Sequence, residues 1–158
     1  RTADKAEQEK EKSAVVDFIE NEFLNRTQEC EYFEVWKKWK IVYQLEVFGK
    51  DESDVWSIDF NNEEPKLTRG SLGKINIYEG ISFSELNKFI NKRGNWDYAG
   101  VAAQYRTYNT VYRVNQGSFE FFPPEKKFPN PLFEIFPSNK EMDREKYMKD
   151  VRRWKGRL

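Results

Sequence analysis

The sequence predicts an α+β domain: a mostly antiparallel five-stranded sheet backed by helices, followed by a proline-rich strap and a C-terminal helix. Three observations lead there. Apolar residues recur at helical spacing near the start, switch to a period of two after Lys40, and return to helical spacing at Ser82. Turn-forming clusters separate the alternating runs at hairpin distances. From Pro123 onward, prolines interrupt every apolar run, which excludes interior strands there.

Residues 1–12 alternate Lys and Glu, and Ala14, Val15, Phe18, Ile19, Phe23 and Leu24 then share one helical face. The run between Cys30 and Trp39 mixes rings with charges and has no clean period, so it reads equally as a helical turn or a connection. Ile41, Tyr43, Leu45 and Val47 alternate with Val42, Gln44, Glu46 and Phe48, and after the polar turn 49–54, Trp56, Ile58 and Phe60 alternate with Ser57 and Asp59. This pattern predicts an antiparallel hairpin. The short segment Lys66-Leu67-Thr68 and the alternation of Ile75 and Ile77 with Asn76 and Tyr78 predict further strands. Ser82 is placed to cap a helix with Glu85 completing a capping box, Phe83, Leu86, Phe89 and Ile90 facing inward, and Gly94 ending it.

A weaker helical pattern follows through Tyr98–Ala103, interrupted by Gly100. Tyr108, Thr110, Tyr112 and Val114 then alternate, and Asn115-Gln116-Gly117 turns the chain into 118–122, a second hairpin. The strap after it carries Phe128, Leu132, Ile135 and Phe136, which suit an apolar surface; Ser138, with Glu141 in the box position, is expected to cap a last helix bearing Met142, Tyr147, Met148, Val151 and Trp154. The expected organisation is an α+β domain over 1–122, with the strap and basic helix of 123–158 packed on the same domain.

Composition narrows the function. A chain of 158 residues suits one domain, and its 16% aromatic content points to a ring-built core. Its 27 basic and 27 acidic residues balance, which disfavours a general nucleic-acid-binding field. No apolar stretch is long enough to span a bilayer, so no integral membrane protein is expected. Cys30 has no cysteine to pair with, which suggests a reducing, cytoplasmic setting. The chain starts at Arg1 without an initiator Met, as a piece of a longer polypeptide would.

Without histidine there is no Ser-His or Cys-His nucleophile pair and no imidazole ligand, and one cysteine excludes a thiolate zinc cage. Asp51, Glu52 and Asp54 lack the Gly and Glu positions of a calcium loop, and 70–74 lacks phosphate-loop spacing. No metal, cofactor or catalytic residue is expected, although an enzyme using only carboxylates, Tyr or Lys stays open; a strongly perturbed carboxyl group in a cleft would mark it.

Two features stand out. Trp56, Phe60, Phe83, Phe89, Trp96, Tyr98, Tyr105, Tyr108 and Tyr112 either line an apolar cavity or fill a core. The basic, aromatic end 151–157 either meets an anionic surface, nucleic acid or acidic partner, or is a solvated helix end anchored by Trp154.

In their order, the leading amphipathic helix, the hairpin bearing Trp56-Ser57-Ile58-Asp59-Phe60, Ile75-Asn76-Ile77, and the helix from Ser82 to Phe89 before Gly94 resemble the sterol carrier protein 2 family over residues 14–122. The resemblance implies a five-stranded sheet and helices around an apolar tunnel, as a free lipid carrier or an accessory domain, with no catalytic residues to carry over. The expected function is therefore a non-catalytic module for a lipid or small apolar ligand. The alternative is a protein-interaction or oligomerisation domain, with 123–158 meeting a partner domain or a second copy.

Overall fold

The computed structural model describes residues 2–110, 113–115, 118–120, 128–136 and 144–156. The opening helix α1 (Thr2–Phe18) runs through a π-helical turn, Ile19–Phe23, into α2 (Leu24–Glu29). Val15, Phe18, Ile19 and Phe23 are buried along it, whereas Ala14 faces solvent. The mixed run after Cys30 folds as α3 (Phe33–Lys38), because Val35 and Trp36 find core positions one residue apart on a single turn. Lys40, in the left-handed region at φ 54°, redirects the chain into the sheet.

β1 (Val42–Phe48) and β2 (Ser53–Asp59) form the expected hairpin, and β3 (Leu67–Arg69) extends it beyond β2. The chain then crosses to the free side of β1, where β4 (Ile77–Ser82) pairs in parallel with it. That crossover makes the sheet mixed, in the order β3-β2-β1-β4-β5, with its other pairings antiparallel. β4 begins later than the Ile75–Tyr78 alternation suggested, since Asn76 serves as its entry clamp: its side chain accepts the Val42 N–H at 2.8 Å and its own N–H donates to the Val42 carbonyl at 2.8 Å.

α4 (Phe83–Ile90) starts where expected, with Ser82 Oγ accepting the Glu85 N–H at 3.1 Å. The reciprocal half of the capping box is not made. The Ser82 N–H donates instead to the Gln104 carbonyl, and Glu85 accepts from Lys88 Nζ. Nor is Gly94 the left-handed stop: Lys92 takes that conformation at φ 60°, with Lys92 N–H donating to Phe89 and Arg93 N–H to Lys88, as in a Schellman ending. Gly94 is needed for space, because a Cβ there would lie 2.1 Å from the Phe89 ring. The weak pattern after it forms α5 (Trp96–Val101), capped by Asn95. β5 (Tyr105–Asn109) completes the sheet against β4.

β6 (Arg113–Asn115) and β7 (Ser118–Glu120) pair antiparallel as a second hairpin in a two-stranded sheet of their own, whereas Tyr108, expected on the hairpin's first strand, belongs to β5. The strap is not wholly extended: α6 (Pro131–Ile135) forms within it, with Pro131 at the first helical position, where its missing N–H costs nothing. The last helix, α7 (Arg144–Lys155), buries Val151 and Trp154; the Ser138 cap, Glu141 and Met142 lie outside the described residues. Phe128, Leu132, Ile135, Phe136, Val151 and Trp154 join the same core as the sheet and α1.

Candidate functional site

The aromatic residues singled out in the sequence separate into distinct neighbourhoods. Trp56 and Phe60 pack beneath the opening helices: Trp56 Nε1 donates to Glu20 Oε1 at 3.3 Å, and Phe60 meets Trp36 with ring centroids 5.5 Å apart. Phe83, at the start of α4, lies under Lys12, whose Nζ is 5.5 Å from the ring centroid. Tyr108 is registered opposite Tyr78 and is mostly exposed, its parity on β5 being opposite to that of Tyr105. Tyr112 lies outside the described residues.

Phe89, Trp96 and Tyr105 come together. Phe89 stacks on Trp96 at 4.0 Å, and Trp96 meets Tyr105 edge-on at 4.8 Å. The strap completes the group with Phe133, 5.1 Å from Trp96, and Phe136, 5.6 Å from Phe89. Trp96 Nε1 donates to the Phe136 carbonyl at 2.7 Å, so the polar edge of the indole fixes the strap while its face holds the rings.

Beside this cluster lies a residue that sequence reasoning missed. Glu79 of β4 is fully buried, because Ile77, Glu79 and Ile81 share the inward face. Ending the strand at Tyr78 hid it; extending the period of two by three residues places its carboxylate in the core. Its Oε1 accepts the Leu132 N–H at 2.7 Å, and Oε2 accepts the Phe133 N–H at 3.2 Å and the Tyr105 hydroxyl at 2.5 Å. Glu79 thus takes the capping position of α6 from across the fold. Asn130, at the local N-cap, instead bonds to β5, donating to Thr107 Oγ1 at 3.0 Å and accepting from Asn109 Nδ2 at 3.3 Å.

Burial dominates the electrostatics. It pushes the Glu79 carboxyl up to about 7 against the opposing pull of Tyr105, Leu132, Tyr43 and Phe133. Tyr43, whose hydroxyl faces Glu79, is raised well above its ordinary range, by burial first. Glu134 on α6 is pushed up to about 8, by burial first and then by Glu79 and Asp150. Glu79 is therefore a perturbed carboxyl, but its acceptor sites meet donors of its own chain in the core. Chemically it is a latch between sheet and strap.

A separate cleft of about 810 Å³ opens between α1, the β1–β2 turn and the start of α4, where Phe48 and Phe83 meet Lys12, Glu52 and Gln104. Its walls carry charges of both signs, unlike an apolar tunnel. Among the described residues no group of His, Cys, Asp and Glu side chains is placed to hold a metal ion, and no helix is long and apolar enough to cross a membrane. The C-terminal Trp154 is fully buried against Trp39 and Phe128, at 6.0 and 5.1 Å, which fits the anchored-helix reading of that end.

No family model matches the chain, and no curated protein matches it. Similar solved structures include sterol carrier protein 2 from Yarrowia lipolytica, 15% identical with a TM-score of 0.41, covering 62% of this chain and 76% of that one. The sterol carrier protein domain 2 of Helicoverpa armigera is 14% identical with a TM-score of 0.39, covering 94% and 88%. Sterol carrier protein 2 like 2 from Aedes aegypti is 11% identical with a TM-score of 0.38, covering 54% and 88%.

Proposed function

We propose that this chain is a non-catalytic module that binds a lipid or other small apolar molecule at the cluster of Phe89, Trp96 and Tyr105, beneath the strap. The observation that carries this reading is the way the strap itself fills the cluster. Phe136 inserts beside Phe89 as an apolar ligand would, while Phe133 remains 43% exposed at the rim, so the rings reach solvent. An incoming apolar chain would replace Phe136 and regain the buried area it displaces, at little net hydrophobic cost. The polar ties of the strap near the cluster are few and specific: Glu79 to α6, Asn130 to β5, and Trp96 to the Phe136 carbonyl. Such a strap keeps the cluster covered when no ligand is present.

The interaction alternative draws less support, since Phe128, Leu132, Ile135, Val151 and Trp154 are committed to this chain's own core. Within the proposal, the setting is cytoplasmic and the module accessory to a larger polypeptide. The half-buried Cys30, its thiol pushed up by burial, suits a chain that does not use thiol chemistry.

Native mass spectrometry after incubation with a long-chain fatty acid tests the reading, with intrinsic fluorescence, to which Trp96 contributes among five tryptophans, as a second readout. A stoichiometric adduct that strengthens in Phe136→Ala, which empties the strap's own place in the cluster, is the expected result. Absence of an adduct in both proteins, each folded by circular dichroism, would refute it.

A further inference from the structure

α5 presents two faces of opposite character. Trp96 and the fully buried Ala99 point into the ring cluster, whereas Tyr98 and Val101, three residues apart and so on one side of the helix, are 56% and 90% exposed. Exposed basic residues precede this helix in the chain. Between Lys88 and Ala103 there are three basic residues, Lys88, Lys92 and Arg93, against one acidic residue, Asp97, in a chain whose formal net charge is zero. Lys88 Nζ sits 5.2 Å from the centroid of the Tyr98 ring while it donates to Glu85 Oε1 at 2.8 Å, so the excess positive charge near this surface comes from Lys92 and Arg93. The segment is also held in a strained frame: Lys92 at φ 60° and Ala103 at φ 56° are left-handed non-glycine residues on either side of the helix.

We infer that this face docks on an anionic lipid surface, with Tyr98 and Val101 entering the boundary between headgroups and acyl chains and Lys92 and Arg93 meeting lipid phosphates. The charge pattern selects this occupant, because an exposed Tyr and an aliphatic side chain preceded by exposed basic ones match the layered chemistry of a membrane interface. The size argues the same way. Two apolar side chains are far short of the roughly 20–30 residues a side that a stable protein interface uses, but they suit weak, reversible seating on a bilayer. The inference deepens the proposed function by naming the source of the apolar ligand, and it rests on that reading only for the transfer step: Trp96 belongs to the same helix, so docking would bring the ring cluster to within one helix diameter, about 10 Å, of the membrane.

Co-sedimentation of the full chain with vesicles tests it, comparing pure phosphatidylcholine with phosphatidylcholine containing phosphatidylglycerol. The expected result is binding to the anionic vesicles that weakens with salt. It should fall about tenfold or more in the Lys92→Glu, Arg93→Glu double variant and clearly in Tyr98→Ser, Val101→Ser, whose exposed positions leave the fold intact. Failure of the unaltered chain to sediment with anionic vesicles at low salt would overturn the inference, as would partitioning unaffected by the serine pair. Sedimentation velocity supplies a further check: a dimer that Val101→Ser returns to monomer would identify a second copy as the occupant instead. Fatty-acid uptake measured without vesicles separates the two readings. Uptake without vesicle binding defeats the docking alone, and vesicle binding without uptake leaves the docking standing and defeats the carrier reading.

Discussion

At the residue scale, the carboxylate of Glu79 is the most consequential side chain in the fold. It accepts from the Leu132 N–H in a fully buried bond and from the Phe133 N–H and the Tyr105 hydroxyl in half-buried ones. Glu79→Ala would strand those donors, and because a buried donor left unpaired costs about 1–3 kcal/mol, a loss of roughly 3 kcal/mol or more is expected in chemical denaturation. Glu79→Gln should lie between, since an amide presents one acceptor and one donor edge to partners that only donate. Gly94 makes a different demand. The Phe89 ring that a Cβ would meet is held in a stack with Trp96 at 4.0 Å and against Phe136 at 5.6 Å, so it has little room to yield. Gly94→Ala is expected to cost about 1–3 kcal/mol by overpacking, and to change near-ultraviolet circular dichroism as the ring pair shifts.

At the scale of elements, α4 and α6 are capped by contrasting means. Ser82 caps α4 locally, so Ser82→Ala should cost about 1 kcal/mol in thermal or denaturant unfolding. The Glu85 contribution to that cap, legible as a sequence motif, is absent because the Ser82 N–H already belongs to the pairing with Gln104. For α6, the cap comes from Glu79 on β4, and both Glu79 and Glu134 hold their protons in the fold far above the ordinary carboxyl value, at about 7 and about 8. The unfolded chain releases those protons near pH 4.3. Their stabilising contribution is therefore fully present below about pH 4 and is lost as pH rises through 7 to 8. The denaturation midpoint should accordingly fall between pH 5 and pH 8.5. Glu134→Gln, which removes one of the two titrations, should flatten that slope and raise stability at pH 8.5 by on the order of 2 kcal/mol; an unchanged slope would reject this account.

At the scale of the whole molecule, sheet, opening helices, strap and last helix share one core, in which Trp36, Trp56 and Trp154 are all nearly inaccessible to solvent. Trp36 Nε1 donates to the Pro129 carbonyl at 3.0 Å, tying the strap to α3 as well as to β4. A chain truncated after residue 122 would expose the surfaces that Phe128, Leu132, Phe136 and Trp154 cover. It is expected to lose cooperative thermal unfolding and to bind a hydrophobic dye, whereas an independently stable 1–122 unit would retain both its transition and a dye-free surface.

By itself the sequence determined what depends on near neighbours along the chain. The alternation around Tyr43, Leu45, Trp56 and Ile58 fixed the hairpin and its buried face, and Ser82 marked the start of α4, because strand parity and N-capping are set within a few residues. Only the tertiary structure decided what depends on distant partners. It turned an ambiguous run into α3 by giving Val35 and Trp36 a core, and made β4 parallel to β1 through a crossover that no local pattern encodes. It also gathered Phe89, Trp96 and Tyr105 with Phe133 and Phe136 while sending Tyr108 to the opposite face, and it made Glu79 the cap of a helix more than fifty residues away. The physical reason is common to all of these: a buried ring or carboxylate takes its role from the groups that exclude water around it, and those groups come from segments far apart in the chain.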